Sequence, residues 1–252
     1  MDFTFQKYGE MLEALKSMGY DFQTFEEFIQ NPSKKAVVLR HDVDRRAAHS
    51  LPMSKREQKV GAKATYFFRI VPESNKKDVI EQIVEDGHEL GYHYEDLGMS
   101  KGNYDIAYKN YLKNLEYFRQ YYPVTTICMH GSPANRIDNR SIWDKYDYKQ
   151  NGIIAEPYFD VDYDELFYFT DASRSWNNVR VSVRDKVKTR FDFDIHSADQ
   201  FIEKLLQGEL PNKIMINTHP HNWSDFGPLW FWILSWQGFK NIIKAILIKV
   251  RE

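Results

Sequence analysis

The sequence has one cysteine, Cys128. A single thiol closes no disulfide within the chain and builds no thiolate zinc cluster, and it fits a reducing compartment. An excess of charge of one sign is also missing. Thirty-four Lys and Arg against 36 Asp and Glu leave a net charge of −2, without the basic field that holds nucleic acid. Long apolar runs are absent: the longest, 228–236, falls far short of the roughly 20 residues that span a bilayer. The opening Met1-Asp2-Phe3-Thr4-Phe5-Gln6-Lys7 has no basic start, apolar segment or small-residue cleavage site, so no secretory signal is read there. These absences predict a soluble, cytoplasmic chain. No repeat, low-complexity tract or Gly/Ser linker interrupts residues 1–252, which read as a single domain.

What is present is ordinary globular composition, 42% hydrophobic and 28% charged, in a length that can hold a (β/α) barrel. The aromatic share of 15% is high, and large rings line both cores and sugar clefts. Residues 1–35 read as an N-terminal helical extension packed on the rest, with Tyr8, Leu12, Leu15 and Met18 at helical spacing and Thr24 able to cap a second helix. Strands are then predicted at Ala36–Arg40, Ala64–Ile70, Glu89–His93, Thr125–His130 and Lys213–His219. Shorter ones are predicted around Ile153–Ile154, Leu166–Phe169 and Val187–Phe193. Helices fall between them, so the sheet is mostly parallel, open or closed.

Residues 228–252 read as a C-terminal amphipathic helix. Phe239, Ile242, Ile243, Ile246 and Val250 share one face, with Lys240, Lys244 and Arg251 on another. Such a helix, with Trp230, Trp232 and Trp236 upstream, can rest on a membrane surface. Packing on the domain is the favoured reading, since most amphipathic helices of soluble proteins face a core.

The predicted strands repeatedly finish in metal ligands or proton carriers. The first leads into His41, Asp42 and Asp44, the third ends in His93, the fourth in His130 and the late one in His219. Sites in parallel α/β folds form at these carboxyl ends. Strand side chains alternate, so Val38, Arg40, Asp42 and Asp44 point the same way. Two carboxylates on one buried face repel unless a cation or shared proton intervenes, and a metal ion is the economical answer. One Asp could bind it while the other acts as base. Salt bridges from Asp42 or Asp44 to Arg40, Arg45 or Arg46 are the alternative. His93 adds an imidazole to the carboxylates, a combination suited to a divalent ion such as zinc. His219, ahead of Pro220, suits a fixed general acid. His49 and His196 lie outside the pattern and read as surface residues.

These segments resemble the polysaccharide deacetylases of carbohydrate esterase family 4, over roughly Val37 to Trp223. The family's T-F-D-D-G motif is similar to Arg40-His41-Asp42-Val43-Asp44, and its Ala-Thr-Phe-Phe strand to Ala64-Thr65-Tyr66-Phe67-Phe68. Its G-H-E-I-G lead-in is similar to Gly87-His88-Glu89-Leu90-Gly91, which places its first metal histidine at His93. Met129-His130-Gly131-Ser132-Pro133, Asp171 to Trp176 and Ile216-Asn217-Thr218-His219-Pro220 resemble the remaining motifs.

The resemblance implies a distorted (β/α) barrel holding one divalent metal, with zinc as first choice and cobalt or nickel as alternatives. It implies Asp42 as base, His219 as acid, and Asp44 and His93 as ligands. Water activated by the metal would attack an N-acetyl carbonyl of an amino sugar or glycan precursor, releasing acetate and a free amine.

Three departures stand out. The family's second metal histidine falls at Leu97, so His130, Glu95 or water completes the set. Val43 separates the Asp pair, so the roles of Asp42 and Asp44 are exchangeable. The third-motif arginine is missing, and Arg174 is a candidate to replace its charge. Arg40, Arg174 and Trp176 are the candidate substrate contacts. The competing functions are another C–N bond hydrolase on the same scaffold and a catalytically weak glycan-binding protein.

Overall fold

The computed structural model describes residues 1–131, 137–176, 187–236 and 238. Seven strands form one sheet: β1 (Asp21–Gln23), β2 (Ala36–Val43), β3 (Thr65–Phe68), β4 (Glu89–Tyr94), β5 (Ile127–Met129), β6 (Phe167–Thr170) and β7 (Lys213–Thr218). The order is β5-β4-β3-β2-β7-β6, and β1 also pairs with β2. Every pairing is parallel. Among the described residues, helices that connect or cover the strands include α1 (Phe5–Ser17), α2 (Phe25–Gln30), α3 (Ser50–Val60), α4 (Lys77–Glu85), α5 (Asp96–Met99), α6 (Tyr104–Arg119), α7 (Pro157–Asp160) and α8 (Ala198–Leu206).

The sheet is strongly curled. β2 and β5 stand three strands apart, about 14 Å in a flat sheet. Yet Arg40 Nη2 on β2 reaches Cys128 Sγ on β5 at 2.7 Å. That contact requires the sheet to wrap round its own inner face, as in the barrel expected from the resemblance. Among the described residues no pairing joins β5 to β6, so the barrel is open along that seam.

Strand alternation sorts the side chains of β2, which is buried along its whole length. Ala36 and Val38 share the inner face with Phe67, Cys128, Tyr168 and Met215. Val37, Leu39 and Val43 belong to the larger core beneath the helices. There, Leu12, Leu15, Ile80, Ile83, Phe118 and Phe201 cover the sheet.

His41 also points outward, away from Asp42. It bonds Glu57 of α3 at 2.7 Å and Thr218 at 2.6 Å. Glu57 further accepts from the Tyr8 and Tyr66 hydroxyls, and His88 lies 3.4 Å away. His41 therefore belongs to a buried polar network between sheet and helices, although its sequence position adjoins the aspartates.

Several sequence expectations change. The N-terminal segment is not wholly helical. Gly19, at φ 75°, ends α1, and the chain then extends as β1 along the first half of β2. A capping box between Thr24 and Glu27 starts α2. Ile153–Ile154 is not a strand, though Ala155 bridges Thr126, and 187–193 carries no strand. The first of these segments meets the chain beside β5 only through the Ile154 N–H to Thr125 carbonyl bond at 2.8 Å and the Ile127 N–H to Ala155 carbonyl bond at 3.2 Å, too short a pairing to make a strand. His49 is half-buried, with Nδ1 against the Trp223 carbonyl at 2.7 Å, because the turn before α3 packs on the end of β7. Residues 132–136, which include Ser132 and Pro133 of the segment after His130, and most of the expected C-terminal helix, 237 and 239–252, lie outside the described residues. Residues 228–236 are helical.

Two stability predictions follow from this packing. Gly91 faces the Phe67 ring, and a Cβ there would lie 2.3 Å from its Cδ1 and Cε1. Gly91→Ala should cost about 1–3 kcal/mol by overpacking. Denaturant unfolding would read this as a lower midpoint, and an unchanged midpoint would mean that Phe67 can yield.

Burial pushes the Glu57 carboxyl up, but His41, its hydrogen bond and His88 outweigh that and hold it at about 2. A carboxylate with a lowered folded-state pKa stabilises the fold above its unfolded value. The contribution is lost as pH falls through the folded value. Stability should therefore drop from about pH 4.5 towards pH 2, with a shallower slope in Glu57→Gln.

Candidate active site

The carboxyl ends of β2, β4, β5 and β7 meet at the mouth of the curled sheet. Each brings polar side chains on its inner-face alternation: Arg40, Asp42 and Asp44; His93 and Glu95; Cys128 and His130; Asn217 and His219.

Asp42 is nearly inaccessible and is gripped by Arg40. Nε donates to Oδ1 at 2.9 Å and Nη2 to Oδ2 at 2.6 Å. Asn217 Nδ2 adds a bond to Oδ2 at 3.3 Å. Burial alone would raise the Asp42 pKa, but Arg40, His93 and His219 bring it below its ordinary value. The guanidinium is itself 1% exposed and lies over the Tyr158 ring at 5.3 Å. Arg40 is thus enclosed by Asp42, Cys128 and Tyr158 rather than open to a substrate. It also supplies the positive charge for which Arg174 was the sequence candidate.

Asp44 sits just beyond the strand. Its Oδ1 is buried and forms no hydrogen bond. His93 Nε2 lies 3.4 Å from it and His130 Nε2 3.5 Å. Ligands on one tetrahedral zinc, with bonds of about 2.0–2.1 Å, lie about 3.4 Å apart.

Both histidines are fixed from behind. His93 Nδ1 meets the Cys128 carbonyl at 2.9 Å; a carbonyl only accepts, so Nδ1 carries a proton and Nε2 is the nitrogen turned to Asp44. His130 Nδ1 likewise donates to Glu95 Oε2 at 2.9 Å. Arg69 holds Glu95 through Nε at 2.8 Å and reaches the Asp44 carbonyl through Nη1 at 3.0 Å. A carbonyl or carboxylate behind an imidazole is the usual outer support of a metal-ligating histidine. Burial works against ionised Asp44, but His130, His93, His219 and His221 hold it well below the usual carboxylate range.

Two overlapping groups share His93. Asp42, His93 and Cys128 place ligand atoms within 4.8 Å of one another and are all buried, so this group could bind a metal ion. Its charge is already balanced by Arg40, whose Nη2 touches both Asp42 and Cys128, and a second cation there would meet that guanidinium. Asp44, His93 and His130 form the second group, in which Nε2 of both histidines faces the Asp44 carboxylate. Leu97 is buried in the core cluster, so the position four residues after His93 offers no ligand.

His219 stands across the mouth. Its Nδ1 bonds Asp171 Oδ1 at 2.6 Å, and its backbone N–H donates to the same carboxylate at 3.0 Å. Trp223 Nε1 donates to Asp171 Oδ2 at 2.7 Å. Burial would lower the His219 pKa, but Asp171, with Asp44 and Asp42 behind it, pushes it up to about 10.

Arg174 and Trp176 are not brought to this group. Trp176 is 1% exposed and stacks on Phe169 at 4.3 Å between ring centroids. Arg174 is buried between Phe3 and Trp230, at 5.4 and 4.8 Å from their rings. Asp171, Glu95 and Arg69 are the positioning residues that did not stand out in the sequence as such. The available signals were that Asp171 closes β6 and that Glu95 lies two residues beyond His93 on the same face.

No family model matches the sequence, and no curated protein matches it. Solved structures do. A carbohydrate esterase family 4 pseudoenzyme from Bacillus anthracis is 14% identical, with a TM-score of 0.45, over 85% of this chain and 63% of that one. A family 4 esterase from Streptococcus mutans is 14% identical, with a TM-score of 0.44, over 94% and 91%. A mutant of a Bacillus subtilis peptidoglycan deacetylase is 14% identical, with a TM-score of 0.42, over 85% and 98%. The chain spans under two thirds of the length of the Bacillus anthracis protein.

Metal binding separates the two overlapping groups. Asp44→Ala should lower bound zinc, and Glu95→Gln should weaken it by about 10–100-fold through loss of the His130 support. Cys128→Ser should leave it near the wild-type level. Elemental analysis after zinc dialysis reads all three. Full occupancy in Asp44→Ala, or loss in Cys128→Ser, would transfer the site to the Asp42, His93 and Cys128 group.

Proposed function

We propose that the chain is a metal-dependent hydrolase that removes an N-acetyl group from an amino sugar or a glycan precursor. The observation that carries this reading is the facing arrangement at the strand ends. Asp44, His93 and His130 stand ready to hold a cation, opposite Asp42 and the Asp171–His219 pair. The motif resemblance supplies the substrate class.

When bound, a divalent ion, zinc before cobalt or nickel, supplies Lewis acidity to a water and to the amide carbonyl. The remaining work belongs to the side chains. Asp42 is the base that accepts the proton of the attacking water. Arg40 keeps it ionised and fixes the direction of its free lone pairs. His219 is the acid. With Nδ1 committed to Asp171, its Nε2 holds the proton, and the raised pKa keeps it protonated at neutral pH. Donation to the departing nitrogen releases the amine, with acetate as the other product.

Acetate release from zinc-loaded protein given N-acetylated amino sugars tests the reading. His219→Ala and Asp171→Asn should each lower turnover by about 10²–10⁴-fold with metal content near normal. Normal turnover in His219→Ala would remove it as the acid. Release of an amine without acetate would assign a different acyl group.

A further inference from the structure

Eleven large hydrophobic side chains are exposed among the described residues, and six of them fall in 226–236: Phe226, Leu229, Phe231, Trp232, Leu234 and Trp236, each 44–59% exposed. The helix over 228–236 is anchored by its two buried residues, Trp230 and Ile233. Trp230 Nε1 donates to the Asp2 carbonyl at 3.0 Å. The other apolar residues face outward. A helix apolar all round belongs in a core or in lipid. These nine residues are too short to cross a bilayer, and among the described residues no helix is long and apolar enough to do so. A position along the membrane interface remains.

Charge selects the occupant. From Phe226 to Phe239 the sequence has no ionisable side chain. Lys240, Lys244, Lys249 and Arg251 follow, against the single acid Glu252. Tryptophans at headgroup depth beside a basic block complement anionic lipid. A second copy of this chain would bring the same four positive charges that follow the patch in sequence, which repel rather than complement one another.

The patch also borders the strand-end site. Trp232 lies under the Arg46 guanidinium at 4.9 Å, and Arg46 follows Asp44 by two residues. We propose that residues 226–236 seat the chain on an anionic lipid surface, with the site mouth beside the headgroups, and that the substrate is an N-acylated amino sugar carried on a lipid. The second clause rests on the hydrolase reading above; the docking does not.

Sedimentation of the full chain with phosphatidylcholine vesicles, with and without phosphatidylglycerol, tests the docking. The expected result is pelleting with the anionic vesicles that weakens with salt. The double variant Phe231→Glu/Trp236→Glu should bind about tenfold less or weaker still, with an unchanged circular dichroism spectrum. Lys240→Glu/Lys244→Glu should lose the preference for phosphatidylglycerol. Wild-type protein that stays in solution with both vesicle types overturns the proposal, as does equal pelleting of the Phe231/Trp236 variant. A dimer that the same variant abolishes, without vesicle binding, assigns the patch to a second copy instead.

Acetate release is then compared for free N-acetylglucosamine and for the same sugar linked through phosphate to an isoprenoid in vesicles. The Phe231/Trp236 variant should lose only the second activity. Wild-type protein that pellets but hydrolyses neither compound keeps the docking and refutes the hydrolase reading.

Discussion

The pairing of Arg40 with Asp42 is the constraint around which the inner face is arranged. Both residues are on one strand, two positions apart, and both are buried. A lone carboxylate or guanidinium in that interior would be strongly disfavoured, and the bidentate pair makes each tolerable to the other. The arginine then needs further neighbours. It finds Cys128, Tyr158 and the Phe67 ring, contributed by distant parts of the chain. Room for the Phe67 ring exists because Gly91 lacks a side chain. The curl of the sheet, the glycine on β4 and the cysteine on β5 are thus linked to one buried cation.

With Arg40 committed to Asp42, the second aspartate is left for other work. Asp44 lies outside the reach of that pair, at the open end, where among the described residues its carboxylate meets the imidazoles of His93 and His130. The sequence showed two equivalent carboxylates whose roles could be exchanged. Their environments separate them: one is neutralised by a fixed side chain, and the other has a buried oxygen without a hydrogen bond.

Much of the architecture was legible in the chain. β2, β3, β4, β5 and β7 were visible as apolar runs, and alternation placed Arg40, Asp42 and Asp44 on one face. Alternation also turns His41 outward, although clustering of polar residues had grouped it with the aspartates. β1 was hidden because three residues beside Gly19 carry no periodicity of their own; their strand character comes from the edge of β2. The supports of the histidines were hidden for a similar reason. Asp171 and His219 are 48 residues apart, and Glu95 and His130 are 35 apart, so only the pairing of β6 with β7 and of β4 with β5 brings them together. Trp176 looked like a sugar platform because an aromatic ring carries no mark in sequence of whether it stacks on a ligand or on Phe169.

The two histidines that face Asp44 differ in what stands behind them. His93 is held by a main-chain carbonyl, and His130 by the side chain of Glu95. A carbonyl survives every substitution at its own position, whereas a carboxylate is one codon change from an amide. The two halves of the site therefore have unequal mutational robustness. Substitution would loosen the His130 side first, while the His93 half kept its support. Variation in the geometry of the mouth is therefore concentrated on one side of the barrel.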